Sequence, residues 1–181
     1  VISTMALWPG VLASTIAYRH QLSGDIPAKL PLIGASFLGS LMGTLLLLFL
    51  PESYFETAVP WLLVFAALLL SLGPQLKKRW TTNAASLSEL SQRHIQWMVV
   101  CQFVIAIYGG YFGAGIGILM LAVLQFAPFR DIHQANALKV ILGTTINAVA
   151  FFIFAFSGHV IWPIALTMLI GGVVGGYVGT R

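Results

Sequence analysis

Long apolar runs alternate with short polar joints along the whole chain. The runs fall at about 2–18, 28–50, 57–72, within 95–127, at 135–156 and at 160–177. Each is close to the ~20 apolar residues that a helix needs to cross a bilayer. None shows the ten-residue alternation of a barrel strand, and a backbone in lipid must bond within its own segment. The pattern therefore predicts an all-α polytopic transmembrane helical bundle of about six spans, here called a to f. The joints divide it into three spans at 1–76, a cytoplasmic loop at 77–94 and three further spans at 95–181.

Composition sharpens this. Of 181 residues, 59% are hydrophobic and 8% charged, where a soluble domain carries about 25% charged. That excludes a water-soluble globule, and so much apolar surface also excludes disorder. Lys and Arg number 9 against 5 acids, for a net charge of +4. In a soluble protein this would suggest nucleic acid. Here the cations stand mainly at span ends, where topology and lipid headgroups account for them, and no nucleic-acid partner is expected. Arg19, Lys29, Lys77, Lys78, Arg79 and Arg93 mark one side, predicted to be cytoplasmic. Arg130, Lys139 and Arg181 mark the other, with Glu52, Glu56 and Asp131. Cys101 is the sole cysteine, so it offers neither a disulfide nor a zinc framework. The chain opens at Val1, shows no signal-peptide pattern and reads as an interior piece of a longer protein.

The joints suggest a repeat. Ser23-Gly24-Asp25-Ile26 after span a matches Ser157-Gly158-His159-Val160 after span e, and Pro27 and Pro163 follow. Span b then carries Ala35, Gly39 and Gly43, and span f carries Gly171, Gly175 and Gly179; both ladders end in Gly-Thr. Four crossings separate the copies, which predicts two similar halves related by an axis along the membrane normal. Coincidence between two glycine-rich helices is the plain alternative.

Span d holds Tyr108-Gly109-Gly110-Tyr111-Phe112-Gly113-Ala114-Gly115-Ile116-Gly117. A single helix over 95–127 would be about 50 Å long, against a hydrocarbon core of about 30 Å. Glycines weaken a helix, so a break here relieves the excess length. Unwound backbone at this depth must be buried or line a wet cavity. Its free N–H groups and the following helix N-terminus would favour an anion. The alternative is packing alone, because Gly109, Gly113 and Gly117 are spaced as small-xxx-small. The run is neither a dinucleotide fingerprint nor a P-loop.

Polar residues inside the spans are few. Span a has Pro9-Gly10 with Ser14-Thr15, and span e has Gly143-Thr144-Thr145 with Asn147. Such hydroxyls and amides either bond neighbouring helices or meet a substrate. Lys139, beside Asn136, either snorkels to the interface or faces a polar cavity as the one intramembrane cation. His133 and His159 stand at helix ends, without metal-ligand spacing. All five acids fall in joints, so no carboxylate is placed for acid–base chemistry, and no nucleophile triad is visible. The chain is not expected to be an enzyme, and no cofactor or metal is expected.

With the glycine run, Asn136-Ala137-Leu138-Lys139, Ser157-Gly158-His159-Val160 and Gly175-Gly176-Tyr177-Val178-Gly179, the chain resembles the TauE/SafE sulfite-exporter family of membrane permeases. Order and spacing agree over about 95–181, and the first half fits the preceding helices. Ile116 departs from the pattern, where many relatives carry a further glycine. The resemblance implies two similar halves, with one helix before Val1 and one after Arg181. It also implies a multi-pass bacterial inner-membrane permease moving sulfite, organosulfonates or related small anions. On that reading Gly113, Gly115 and Gly117 offer backbone donors or close approach, Asn136 and Lys139 attract the anion, and Thr144, Thr145 and Asn147 line its path. One half would rock against the other. The competing expectation is a non-transporting assembly protein whose ladders at Gly39, Gly43 and Gly175 only pack helices.

Overall fold

The computed structural model describes residues 26–51, 92–124 and 132–158, with isolated positions at 8, 15, 163 and 167 and several between 53 and 68. Most of spans a, c and f, residues 77–91 of the loop and the second glycine ladder lie outside the described residues. So do the basic run Lys77-Lys78-Arg79 and the count of six spans. Among the described residues every regular element is an α-helix: α1 (Ile26–Phe49), α2 (Gln92–Tyr111), α3 (Ile116–Leu124) and α4 (Ile132–Phe156).

These follow the apolar runs closely. α1 answers span b, with Pro27 in its first turn where a missing N–H costs nothing. Pro31 sits exposed inside the helix and leaves the Pro27 carbonyl without its helical donor. α4 answers span e but starts at Ile132, so Lys139 lies about two turns, or ~11 Å, into it. α2 starts at Gln92, so Gln92, Arg93 and His94 form an exposed first turn where the sequence suggested the end of a loop. α4 ends at Ser157-Gly158: Ser157 donates from both N–H and Oγ to the Phe154 carbonyl, and Gly158 turns with φ +74°. Lys29–Phe49 and Gln134–Phe156 are long and apolar enough to cross a membrane.

α1 packs most extensively on α2 and next on α4, while α3 joins α2 to α4. Leu32, Met98, Ile105 and Ala106 meet Met120, Leu124, Leu138, Leu142 and Ile146 in one buried cluster. Glycine makes the α1–α2 crossing close. A Cβ on Gly39 would stand 2.5 Å from the Phe103 carbonyl oxygen, and one on Gly43 would collide with the Ile107 carbonyl. From the other side, a Cβ on Gly110 would meet the Ser40 carbonyl at 2.6 Å. Gly39 and Gly43 are thus used up within the chain rather than offered to a partner protein.

The interior combines this apolar cluster with a few polar side chains, while large apolar side chains also cover the outside. Ser36, Ser40, Thr44 and Gln102 are fully buried. Leu30, Phe37, Leu38 and Phe49 of α1, Trp97 and Val104 of α2, and Phe152 and Phe156 of α4 are exposed. Single exposed apolar residues carry little information, but faces this extensive would drive association in water and suit lipid.

Candidate functional site

The glycine run breaks span d. α2 stops at Tyr111, four residues follow without helix, and α3 starts at Ile116. Gly113 and Gly115 adopt φ +81° and +74°, a region that costs other residues a Cβ clash. Gly109 and Gly117 therefore do not share a continuous ladder with Gly113, and the packing-only alternative fails here as a single stripe. Gly109 instead leaves room for Ile116 and Ile146, which a Cβ there would meet at 3.3 Å. α3 has nine residues, about 14 Å, or half a bilayer core.

Tyr108 ties the break together. Its carbonyl accepts from the N–H groups of Phe112 (2.8 Å) and Gly113 (3.2 Å). Its hydroxyl donates to the Ala114 carbonyl at 2.7 Å. The Gly115 carbonyl accepts from Ile118 and Leu119 at the start of α3. The carbonyls of Tyr108, Ala114 and Gly115 are thus occupied, while the N–H groups from Ala114 to Gly117 have no backbone acceptor among the described residues. The segment is rich in free donors, and the α3 dipole adds partial positive charge at the same end. Both properties favour an anion.

Lys139 approaches this end from α4. A Cβ on Gly117 would lie 3.7 Å from Lys139 Cδ, so the lysine stem runs beside the first turn of α3. Lys139 and Asn136 are half-buried, and neither is hydrogen-bonded or ion-paired among the described residues. At about 100° per residue, Asn136, Lys139, Gly143 and Asn147 share one stripe of α4. Asn147 and Gly113 line a common cavity of about 200 Å³, with Gly109, Phe112, Ile116 and Phe154. Asn147 donates from Nδ2 to the Gly143 carbonyl at 2.8 Å, which fixes the amide at the cavity edge.

The structure thus brings together Gly113 with Asn147, and Gly117 with Lys139. The two threonines are used differently. Thr145 Oγ1 donates to the Ile141 carbonyl (2.9 Å), and its helical position is opposite the stripe. Thr144 Oγ1 donates to the Val140 carbonyl (2.8 Å) and lies 2.5 Å from Thr15 Oγ1. Neither lines this cavity.

A second polar set escaped the sequence reading. On α1, Ser36 Oγ accepts from Gln102 Nε2 (2.8 Å), Ser40 Oγ donates to the Ile146 carbonyl (2.9 Å), and Thr44 Oγ1 donates to the Gly110 carbonyl (3.3 Å). Gln102 Oε1 is buried without a partner among the described residues. The i, i+4, i+8 spacing of Ser36, Ser40 and Thr44 was the available signal, but it stood beside the louder glycine ladder. These bonds fasten α1 to the helix carrying the break and to the helix carrying Lys139.

Comparison with known proteins points to one family of membrane transporters. The family described as "Sulfite exporter TauE/SafE" matches residues 1–181. A "Probable membrane transporter protein ORF9" of Sinorhizobium sp is 28% identical over 171 residues, covering 93% of this chain and 62% of the relative. A "Probable membrane transporter protein" of Haemophilus influenzae is 28% identical over 146 residues, covering 80% and 54%. The "Probable membrane transporter protein YfcA" of Escherichia coli K12 is 24% identical over 176 residues, covering 95% and 61%. The chain spans somewhat over half the length of these relatives. No solved structure matches it. The chain belongs to the sulfite exporter TauE/SafE family.

Proposed function

From that membership we propose that the protein containing this chain is a multi-pass permease of a bacterial inner membrane. Its proposed substrates are small anions, with sulfite and organosulfonates the first candidates. The observation that carries the reading is the break at 112–115, where free backbone donors meet a helix N-terminus and the stem of Lys139. An anion entering there exchanges water for fixed N–H groups and an ammonium, so little protein reorganisation is needed. Gly113, Gly115 and Gly117 supply or expose the donors. Lys139 and Asn136 draw the anion in, and Asn147 meets it at the cavity. The relatives' names support transport, and the family description supports a sulfur oxyanion.

Motion is proposed to pass through the break. α1 lies in the first three-span block and α2 in the second, yet glycine-fitted contacts hold them together. In the 112–115 segment, a Cβ on Gly113 would meet the Gly109 carbonyl at 3.3 Å and nothing else within 4 Å among the described residues. The backbone of this segment can absorb a change of angle between α2 and α3 while the α1–α2 pair stays intact.

The test is uptake of labelled sulfite into liposomes holding the full-length protein. Wild-type protein should move sulfite, and Gly115→Leu and Lys139→Gln should each reduce the flux. Flux indifferent to both substitutions would remove the site assignment, and absence of flux for every small anion would sink the function.

A further inference from the structure

Span d turns back on itself. α3 begins beside the end of α2: a Cβ on Gly109 would meet the Ile116 side chain at 3.3 Å, and Ile116 lines a cavity with residues 109–113. It ends beside the start of α2, where Val123 lines a second cavity, of about 250 Å³, with His94, Trp97, Met98 and Cys101. Had α3 continued along α2, Val123 would stand about 33 Å from Cys101. The two helices are therefore the legs of a hairpin, with 112–115 at its tip.

The neighbouring helices give the hairpin a direction. Ser36 bonds Gln102 and Thr44 bonds Gly110, so α1 and α2 run parallel. Ser40 bonds the Ile146 carbonyl, and Leu47 and Leu48 pack on the Ala150 and Phe154 cluster, so α4 runs parallel to α1 as well. A span d that crossed once would have left α4 running against α2. The tip also stops inside the bundle. Gly110 meets Thr44 and Gly113 shares a cavity with Asn147, while α1 and α4 run on from there for about 8 Å and 14 Å. Lys29, Arg93 and Lys139 are the lysines and arginines among the described residues, and all three lie toward the face where α1, α2 and α4 start. The apolar pattern had put Lys139 on the side opposite Arg93; the return of α3 puts them toward the same one.

We infer that α2 and α3 form a re-entrant hairpin that enters and leaves the membrane through the cytoplasmic face and carries the donor segment at its tip to the level of Asn147. Cations gather on the cytoplasmic side of membrane proteins, which names the face. Irregular backbone at this depth is tolerated when buried in protein or facing a wet cavity. For the anion site proposed above, the hairpin sets the Lys139 backbone on the cytoplasmic side of the donors. It also alters the repeat. Span d no longer counts as a crossing, so three crossings separate span a from span e, and the copies are inverted about an axis in the membrane plane. Positions 8 and 15 of span a agree. Trp8 stacks on Phe151, with 4.5 Å between ring centroids, and Thr15 Oγ1 lies beside Thr144 Oγ1, so span a and α4 run in opposite directions. Thr144 and Phe151 bracket Asn147. The two copies therefore cross at the level of the tip, where transporters with inverted repeats hold their substrate.

Single cysteines in a Cys101→Ser background of the full-length protein test this, with a membrane-impermeant maleimide applied to intact bacteria and to inverted membrane vesicles. Gln92→Cys and Gln134→Cys, at the exposed starts of α2 and α4, should both label in inverted vesicles and not in cells. Ser53→Cys and Ser157→Cys, past the far ends of α1 and α4, should label in cells and not in inverted vesicles. Gln134→Cys labelled in cells while Gln92→Cys is labelled only in vesicles would mean that span d crosses, and the hairpin would be overturned. Both labelled in cells would overturn the cytoplasmic assignment. A second arm reads the fold within the bilayer: Val123→Cys should cross-link to the native Cys101 through a short, membrane-permeant bifunctional thiol reagent. An absent cross-link in protein that keeps the wild-type melting temperature would also overturn the hairpin, and the exposed labels decide the matter if Val123→Cys does not fold. Neither arm needs transport, so a protein that moves no sulfite leaves the hairpin standing, and a failed hairpin leaves the anion class standing.

Discussion

Glycine does two unlike jobs a few residues apart. At the α1–α2 crossing, Gly39, Gly43 and Gly110 keep helical conformation and remove side chains so that backbones can touch. At the break, Gly113 and Gly115 give up helical conformation, and their value is in their φ angles. The first set joins two helices into a unit. The second separates two helices and frees backbone donors between them. One residue type therefore supplies both rigidity, through the Cβ it lacks at the crossing, and a candidate site, through the φ it can adopt at the break.

Substitution separates the two jobs, and the largest effect is expected at the crossing. Gly43→Leu places a side chain against the Ile107 carbonyl, with backbone on both sides and nothing flexible to yield. We expect a loss of roughly 3 kcal/mol or more of stability, read as a fall in melting temperature of the purified full-length protein. An unchanged melting temperature would show that the helices are not held at this distance.

Gly113→Val should act the other way round. A β-branched residue at φ +81° costs about 1–2 kcal/mol locally, outside the glycine-fitted α1–α2 crossing. Sulfite flux should fall about five- to thirtyfold, on the order of that energy, while the melting temperature moves only slightly. Gly113→Asn, which tolerates this conformation better, should recover part of the flux. Equal damage from Val and Asn would mean that φ is not the reason for glycine.

Tyr108→Phe removes the hydroxyl bond to the Ala114 carbonyl, worth about 1 kcal/mol. The freed carbonyl then competes with the N–H donors for the space an anion would use. We expect the KM for sulfite to rise about fivefold, with Vmax little changed, together with faster amide exchange at 112–115. A loss confined to Vmax would assign Tyr108 to motion instead of binding.

Gln102→Leu should have the smallest effect. It removes the bond to Ser36, about 1 kcal/mol, and also the buried Oε1, unpartnered among the described residues, whose burial costs a similar amount. The two nearly cancel, so the melting temperature should stay level or rise. A fall equivalent to about 2 kcal/mol would show that Oε1 has a partner in the assembled protein.

How much of this was legible in advance varies by element. The apolar runs located α1 and α4 to within a few residues, because a span needs a fixed length of apolar chain. The break was legible as a surplus of length over bilayer thickness, with glycines marking the place. The division of labour among those glycines was not. Gly110 looks like Gly109 in sequence, yet one packs against Ser40 and the other leaves room for Ile116. Thr144 and Thr145 read as path-lining hydroxyls, but both donate to carbonyls one turn back. That bond is open to any helical threonine, and helical phase, not residue type, decides which side it faces.

By itself the sequence determined that this chain is made of apolar helices of membrane-spanning length and that its family is TauE/SafE, while for span d it left a break and simple glycine packing both open. Those are matters of composition, length and local pattern. Only the tertiary structure decided that Ser36 meets Gln102, that Ser40 reaches Ile146, and that Lys139 lies beside Gly117. Those contacts join residues that are distant in the chain. They are set by the distance at which two helices can cross, which depends on every small residue at the crossing at once and leaves no local mark in the pattern.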